Sequence, residues 1–424
     1  MIYFGTDGIR KKNEFFTPDF LSLVANGVAL LPSCRKVAIA RDTRASGKYM
    51  EEILIENLVK RGVDVVSLGV IPSPCLAFCT RTLDCDYGIM LSASHNPPSY
   101  NGIKLFLADG SKARKVEEEI IESYVLRPFS LPEKNGKITR ADGKKIYLES
   151  LCPSLPRLDG MKILLDCTHG AASGLSGEVF TYLGANVSLS NADFDGEKIN
   201  VGCGAEHADL LIPRSSNFDA CFSFDGDADR VKAIKSGKAL DGDHIMYCAA
   251  KVMKQSGKLK NNAVCGTVMT NSGVEKAYSR NGIRLFRSDV GDREVFRTMQ
   301  KNNLSLGGEK SGHIIFANIL KTGDGILTAV FSSAIFRKYA LNDIDDAKDF
   351  PSVSDELIVS EAERVSFSEK FGKGIFKDEN GVRFVVRASG TEPKIRFLAE
   401  SEDITLAKNA LQSVKNEVAE RIKK

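Results

Sequence analysis

The feature of this sequence that most restricts its fold is an alternation of short apolar runs with helix-length segments, which starts afresh three times. The first series begins at residues 36–41, the second at 161–167 and the third at 263–269. Alternation of this kind is typical of α/β domains, in which helices cover a largely parallel sheet. We therefore predict α/β architecture, with three similar α/β domains that have four-stranded mixed sheets.

The last part of the chain departs from this alternation. Residues 384–386 and 395–398 are apolar runs on either side of a polar loop, which indicates paired strands. The segment that follows places an apolar stripe at helical spacing, which is typical of core packing. We predict a smaller α+β C-terminal domain here. The predicted domains are residues 1–156, 157–240, 241–350 and 351–424.

Charge and composition exclude several classes of protein. Lys and Arg together number 58 and Asp and Glu 55, and this balance does not suit a nucleic-acid coat, so an anionic small molecule is the better partner. The ten cysteines include no C-x-x-C pair, which favours a reducing compartment. Because no signal peptide and no apolar run of about 18 residues is evident, we expect a cytoplasmic protein that binds neither nucleic acid nor membrane.

One polar loop, between the apolar runs 86–92 and 102–106, presents a serine hydroxyl. Ser94 lies at its centre, and two prolines stiffen the loop just after it. The G-x-S-x-G elbow of serine hydrolases is absent, because Ser92 and Asn96 stand where glycines are required. The alternative is that Ser94 and Asn96 only satisfy hydrogen bonds of a turn.

Three aspartates at alternate positions follow the buried run 220–224. Asp225, Asp227 and Asp229 can converge on one hard cation and leave positions open for a phosphate oxygen and water, as Mg²⁺ prefers. An EF-hand is excluded, because Arg230 stands where its loop needs glycine and Ser236 where it needs glutamate. A solvated acidic turn is the alternative. We predict a metal site.

Two later loops have the composition of a ligand site. Residues 307–313 place Glu309, Ser311 and His313 among glycines that let a ligand approach the backbone closely. Residues 387–393 combine an arginine, two hydroxyls and a glycine, which is the composition of a phosphate cradle, although an ordinary polar hairpin is the alternative. The residues of this predicted cradle are Arg387, Ser389, Gly390, Thr391 and Arg396.

Taken together and in this order, the four loops resemble those of the α-D-phosphohexomutases over essentially the whole chain. Within that family the chain looks most like the bacterial phosphoglucosamine mutases, although Tyr100 is similar to the phosphomannomutase/phosphoglucomutase branch and Lys310 departs from the usual glutamine. The resemblance implies four domains arranged around a central cleft. The segments that carry it, besides the four loops, are Phe4–Arg10, Arg41–Arg44, Ile199–Gly204, Asp241–Asp243 and Val290–Arg293.

The resemblance also implies a mechanism. Ser94 would be carried as phosphoserine, and one Mg²⁺ would bridge its phosphate and the three aspartates, with a hexose 1,6-bisphosphate as intermediate and primer. Glu309 and Ser311 would hold the 3- and 4-hydroxyls of the sugar, and the cradle would bind the second phosphate. Candidates for positioning or neutralising the transferring group are Arg230, His95 and Lys104. Candidates for moving or steering the hydroxyl proton are Arg10, Lys104 and His313.

The substrate expected from this resemblance is a phosphosugar, with interconversion of glucosamine 6-phosphate and glucosamine 1-phosphate favoured. Glucose and mannose phosphates differ from glucosamine phosphate at C2, whereas the predicted sugar contacts address O3 and O4, so phosphomannomutase/phosphoglucomutase activity stays open. A metal-dependent sugar phosphatase and a phosphosugar-binding protein without turnover are further alternatives. Both a monomer and a homodimer are compatible with the sequence.

Overall fold

In a computed structural model of the chain, residues 2–5, 7–372, 374–389 and 393–423 are described. They contain sheets of seven, five, four and four strands, with helices packed against them. The α/β class with a smaller α+β unit at the C-terminus is confirmed. Each sheet falls inside one of the four predicted residue ranges, whose boundaries remain a prediction. Each sheet with its helices is called a unit below, and the units are numbered in chain order. Among the described residues no helix is long and apolar enough to cross a membrane.

The first sheet has seven strands in the order β1-β2-β6-β5-β3-β4-β7, so the prediction of four was wrong. The difference comes from short, mixed-polarity strands at its edges: the hairpin β1–β2 adds to β6, and β7 adds to β4. The strands are β1 (Phe4–Gly5), β2 (Gly8–Lys12), β3 (Lys36–Arg41), β4 (Asp64–Val70), β5 (Tyr87–Leu91), β6 (Tyr100–Leu107) and β7 (Ile138–Arg140). The helices are α1 (Pro18–Ala29), α2 (Ala45–Val59), α3 (Ser73–Thr82), α4 (Lys115–Leu126) and α5 (Gly143–Leu151).

The second sheet has five strands in the order β12-β11-β10-β8-β9, which again exceeds the predicted four. A short hairpin, β11–β12, extends the parallel strands at one edge. Every residue of β10 is buried, and this strand ends directly at Asp225. The elements are β8 (Lys162–Asp166), α6 (Ser176–Tyr182), β9 (Asn186–Ser190), β10 (Ala220–Phe224), β11 (Val231–Lys235) and β12 (Lys238–Leu240).

The third sheet has the predicted four strands, in the order β14-β13-β15-β16. The antiparallel pair β15–β16 presents residues 309–313 as its connecting loop. One buried apolar cluster runs from the first sheet through the second to the third. The elements are α7 (Gly242–Gln255), β13 (Ala263–Thr267), α8 (Ser272–Arg280), β14 (Arg284–Ser288), α9 (Asp292–Lys301), β15 (Leu306–Gly308), β16 (Ile314–Phe316), α10 (Gly325–Lys338) and α11 (Leu341–Ile344).

The fourth sheet is antiparallel throughout, in the order β17-β20-β19-β18, and has an apolar cluster of its own. The C-terminal helix buries Ala407, Leu411, Val418 and Ile422 in that cluster, as the apolar stripe predicted. The elements are β17 (Ser352–Ile358), α12 (Glu361–Phe371), β18 (Ile375–Glu379), β19 (Val382–Ala388), β20 (Lys394–Glu400) and α13 (Ile404–Lys423).

An ionic contact ties the segment between the third and fourth sheets to α7. His244 Nδ1 lies 2.8 Å from Asp345 Oδ1, and His244 Nε2 lies 3.3 Å from Asp349 Oδ1. Burial lowers the pKa of His244, but hydrogen bonds to the two carboxylates outweigh it and raise this pKa to about 10. The imidazole is therefore a cation at neutral pH.

This contact predicts a pH-dependent contribution to stability. A histidine in an unfolded chain titrates near a pKa of about 6.5, so the contribution of His244 is full below that pH and is lost as pH rises through about 10. Replacing His244→Gln is expected to lower the free energy of unfolding by on the order of 1–3 kcal/mol at pH 6, and by clearly less at pH 9.5. Urea denaturation at both values measures this. The exposed His207→Gln is the control, and equal losses for His244→Gln at both values would contradict the prediction.

Candidate active site

The predicted serine lies against the first of the predicted aspartates. Ser94 Oγ donates a hydrogen bond to Asp225 Oδ2 at 2.6 Å, although the two residues are 131 positions apart. Both side chains are buried. The loop after β5 and the loop after β10 therefore meet at the carboxyl ends of their strands, as open α/β sheets allow.

A buried arginine fixes the backbone of the serine loop, and sequence reasoning gave it no role. Arg44 donates to the carbonyls of Ser94 and Asn96 at 2.9 and 2.7 Å, and its charge is paired with Asp42 at 3.0 Å. Asn200, from the second unit, donates to the same two carbonyls at 2.9 and 3.0 Å. These bonds stabilise Ser94 at a φ of 54°, which residues other than glycine rarely adopt.

The three predicted aspartates form one buried cluster. An oxygen from each of Asp225, Asp227 and Asp229 lies within 4.8 Å of the others. Within the described part of the chain, Asp227 Oδ1 and Asp229 Oδ1 are buried without a hydrogen-bond partner. Burial, together with repulsion from the other two carboxylates, raises the pKa of Asp225 to about 7. Buried carboxylates with open oxygens fit a hard divalent cation such as Mg²⁺.

Lys104 brings a positive charge to the same cluster. Its Nζ lies 2.7 Å from Asp227 Oδ2, 3.0 Å from Asp229 Oδ2 and 3.1 Å from Asp7 Oδ2. Burial lowers the pKa of Lys104, but these carboxylates raise it well above its usual value. Asp7 was not predicted as a site residue, although it lies in a segment that carries the family resemblance. It also pairs with Arg10 and Lys112.

Arg230 and His95, both predicted to position or neutralise the transferring group, lie together at the serine loop. Arg230 N–H donates to Asp225 Oδ1 at 3.1 Å, and Arg230 Nη1 lies 3.2 Å from His95 Nδ1. Burial, Arg230 and Arg10 lower the pKa of His95 to about 3. At neutral pH His95 is therefore an uncharged ring that can share a hydrogen bond without adding charge.

The loop between β15 and β16 places its polar side chains near the aspartates. Glu309 Oε1 accepts a hydrogen bond from Gly291 N–H at 3.0 Å, and burial raises the pKa of Glu309. Ser311 Oγ is buried and, among the described residues, makes no hydrogen bond. His313 Nδ1 lies 3.7 Å from Asp229 Oδ1, and Gly323 N–H donates to His313 Nε2 at 2.9 Å. In the neutral ring Nε2 therefore accepts and Nδ1 carries the proton. Burial lowers the pKa of His313, but Asp229, Asp292 and Glu309 outweigh it and raise this pKa.

The hydrogen bond from Gly323 N–H to His313 Nε2 requires a glycine at position 323. A Cβ there would lie 2.4 Å from His313 Nε2, so Gly323→Ala has to displace the imidazole. We expect turnover of the phosphosugar that the sequence predicts as substrate to fall by on the order of tenfold, because a shift of about 1 Å in a positioned group can have effects of at least this size. Steady-state kinetics measure it.

The matched control is Gly177→Ala, in α6, where the new methyl group meets Leu189 at an ordinary contact distance of 3.4 Å. Its turnover is expected to equal that of the wild type. Wild-type turnover in both Gly323→Ala and Gly177→Ala would show that turnover does not depend on the exact position of His313.

The predicted phosphate cradle is described in part. Arg387 on β19 and Arg396 on β20 are paired directly opposite each other, and Ser389 is buried beside them. Burial and the charge of Arg396 lower the pKa of Arg387. Like charges directly opposite each other destabilise a strand pair, and an anion bound between them would relieve this repulsion. Gly390 and Thr391 lie outside the described residues.

Comparisons with known proteins agree with this architecture. Sequence models described as phosphoglucomutase/phosphomannomutase match the chain in three places: alpha/beta/alpha domain I at residues 1–130, alpha/beta/alpha domain III at 241–349 and the C-terminal domain at 344–420. A phosphoglucosamine mutase from Nautilia profundicola is 38% identical over 98% of this chain and 98% of its own length. One from Geobacillus kaustophilus is 39% identical over 94% of each chain.

Solved structures show the same fold. A phosphoglucomutase/phosphomannomutase family protein from Burkholderia thailandensis superposes with a TM-score of 0.84 at 21% identity, covering 99% of this chain and 97% of that one. An Aspergillus fumigatus N-acetylphosphoglucosamine mutase, in complex with GlcNAc-6P and magnesium, superposes with a TM-score of 0.63 at 17% identity, covering 99% and 96%.

Proposed function

This chain belongs to the phosphoglucomutase/phosphomannomutase family of α-D-phosphohexomutases, which are intramolecular phosphotransferases, and we propose that it interconverts glucosamine 6-phosphate and glucosamine 1-phosphate. The observation that carries the proposal is the hydrogen bond of 2.6 Å from Ser94 Oγ to Asp225 within a buried cluster of three aspartates. Relatives named phosphoglucosamine mutase, at 36–39% identity over nearly the whole chain, support the choice of sugar.

The cluster has the donors that a metal-assisted phosphoryl transfer needs. Asp225, Asp227 and Asp229 would hold Mg²⁺, since two of their buried oxygens accept no hydrogen bond from the described residues. When bound, Mg²⁺ supplies Lewis-acid chemistry by withdrawing charge from the transferring phosphoryl group. A phosphate on Ser94 would otherwise face the carboxylates with a repulsion of about 4 kcal/mol per close pair at an effective dielectric of 20.

In the first half of the reaction, Ser94 gives its phosphoryl group to a sugar hydroxyl. The bond from phosphorus to Ser94 Oγ breaks, a bond to the sugar oxygen forms, and the hydroxyl proton leaves. Arg10, Lys104 and His313 are the candidates for moving or steering that proton, since Lys104 and His313 contact the aspartates and Arg10 pairs with Asp7 next to Lys104. Arg230 lies against the ring of His95 in the serine loop; both would position the group, and Arg230 would offset its charge, since the His95 ring is neutral.

In the second half, the bisphosphate intermediate turns over and returns its other phosphoryl group to Ser94. One phosphate must be held away from Ser94 while this happens, and the opposed arginines Arg387 and Arg396 with Ser389 fit that role. Gly390 and Thr391, outside the described residues, belong to the same predicted cradle. Glu309 and Ser311 would bind the 3- and 4-hydroxyls, since both offer buried polar atoms on the connecting loop.

A turnover panel tests this function. Purified protein with Mg²⁺ and a trace of hexose 1,6-bisphosphate is given the 6- and 1-phosphates of glucosamine, glucose and mannose. We expect the highest kcat/KM on the glucosamine pair and no release of inorganic phosphate. A preference for mannose or glucose phosphates would assign the chain to the phosphomannomutase/phosphoglucomutase branch. Release of phosphate would identify a phosphatase, and binding without conversion would identify a binding protein.

A further inference from the structure

The first turn of α9 carries two opposite charges that reach from the third unit to the first. Asp292 Oδ2 lies 3.2 Å from Lys112 Nζ, and Arg293 Nη1 lies 2.7 Å from Glu118 Oε2. Arg293 also donates to the carbonyl of Ala113 at 3.3 Å. The two ion pairs are reciprocal, because each unit contributes one acid and one base.

These pairs are shielded from water. The exposed fractions of the four side chains are 10% for Lys112, 7% for Asp292, 22% for Arg293 and 5% for Glu118. Ion pairs that are partly buried are screened less by salt than pairs on the surface. Because the signs alternate across the interface, a sliding movement of one unit would bring like charges together, so the arrangement selects one alignment.

Both ends of this contact continue into the candidate active site. On the third unit, Gly291 N–H holds Glu309, and Asp292 Oδ2 lies 3.7 Å from His313 Nε2. On the first unit, Lys112 pairs with Asp7, which in turn lies 3.1 Å from Lys104. The crossing pairs therefore connect the loop that carries Glu309 and His313 with the lysine at the aspartates.

Packing alone leaves this part of the interface open. A cavity of about 610 Å³ lies between residues 107–115 of the first unit and residues 292–300 of the third, and Lys112, Asp292 and Arg293 all line it. Where side chains do not interdigitate, apolar contact fixes alignment poorly. Charged contacts therefore contribute to joining the two units at this place.

We propose that Arg293, through Glu118, is a positioning residue that aligns the sugar-binding loop of the third unit with Ser94 and the aspartates. This inference rests on the proposed phosphosugar mutase function. Arg293 acts through the backbone and side chains of its own turn, and its pairing with Glu118 sets the distance across which the phosphoryl group moves. Misalignment by about 1 Å is enough to reduce such a reaction by up to about a hundredfold.

Charge reversal tests the pair. Arg293→Glu places two glutamates together, and we expect kcat/KM on the preferred phosphosugar to fall by about ten- to a hundredfold. Glu118→Arg should cause a similar loss, and the double variant should recover activity to within about threefold of wild type, since the attraction is restored with its direction reversed. The matched control is Arg297→Glu. Arg297 lies on the same helix and lines the same cavity, but it pairs with Glu294 of its own helix, so no loss is expected.

Two readouts separate positioning from a general loss of structure. Calorimetric binding of Mg²⁺ alone is expected to be unchanged in Arg293→Glu, because the metal cluster lies within residues 225–229. Amide hydrogen exchange of residues 306–316, measured without substrate, is expected to rise in Arg293→Glu and to return in the double variant. Loss of Mg²⁺ binding in Arg293→Glu would show a structural role and overturn the proposal.

The charge-reversal and exchange experiments have three further outcomes, and each leads to a different conclusion. Equal kinetics and exchange in Arg293→Glu and Arg297→Glu would overturn the positioning role. A double variant as impaired as the singles would show that Glu118 is not the partner that matters. If wild-type protein converts none of the six phosphosugars, the proposed function fails, while the exchange of residues 306–316 still decides whether the pair aligns the loop.

Discussion

Ser94→Ala is expected to reduce mutase turnover by about 10³-fold or more, because the covalent phosphoryl carrier is lost. The fold should persist, since Arg44 and Asn200 bind the backbone carbonyl of residue 94 and not its side chain. Among the described residues, the only hydrogen bond of the Ser94 side chain that disappears is the one to Asp225. Coupled-assay kinetics of the phosphosugar reaction measure the loss, and urea denaturation checks that the protein remains folded.

Intact-mass spectrometry tests whether Ser94 carries the phosphate covalently. Wild-type protein incubated with bisphosphate is expected to gain the mass of one phosphate, and Ser94→Ala is not. Ser99→Ala, which changes an exposed hydroxyl five residues along the same loop, is the control and should retain both phosphate and turnover. Ser73 is the strongest rival, because its hydroxyl donates to Asp227 in the same cluster. Phosphate retained in Ser94→Ala and lost in Ser73→Ala would transfer the carrier role to Ser73.

Ser94, the three aspartates and the loop 309–313 share one property: each follows a strand with a clear apolar pattern. The run 220–224 is buried throughout, so the aspartates after it had to lie at the carboxyl end of a central strand. The glycine-rich loop 309–313 likewise joins two fully buried strands. Ligands gather at such strand ends, and the chemistry of the side chains then indicates which ligand fits. The alternating units and the apolar stripe of the last helix were accessible for the same reason.

What the sequence did not reveal depends on partners far away in the chain. Asp7 meets Lys104 and Lys112 about a hundred positions later, and Asn200 reaches a carbonyl 106 positions earlier. No local pattern marks such pairs, because they form only when separate units pack together. The extra strands of the first two sheets were not predicted for another reason. Strand β7 consists of three exposed residues and strand β1 is only two residues long, so neither shows an apolar period.

Lys104→Met is expected to lower the free energy of unfolding of the metal-free protein by about 3–5 kcal/mol, because it leaves buried carboxylates without their shared cation. Lys104 is 1% exposed and contacts Asp7, Asp227 and Asp229, and methionine keeps most of its volume. The same change removes the ammonium group from Asp229 Oδ2 and from Asp227 Oδ2, which keeps its hydrogen bond from Ser73. Mg²⁺ should therefore bind the variant at least as tightly as the wild type and stabilise it more.

Thermal unfolding in EDTA and in excess Mg²⁺ measures both effects in one pair of experiments. The upward shift in Tm on adding Mg²⁺ is expected to be larger for Lys104→Met than for the wild type, since the ion replaces a missing charge as well as filling a site. Lys60→Met is the control, because Lys60 forms a half-exposed pair with Glu56 on a helix surface and should change stability by less than about 0.5 kcal/mol. A Lys104→Met variant as stable as the wild type in EDTA, or one with the same Mg²⁺ shift, would mean that the aspartates do not depend on Lys104 for neutralisation.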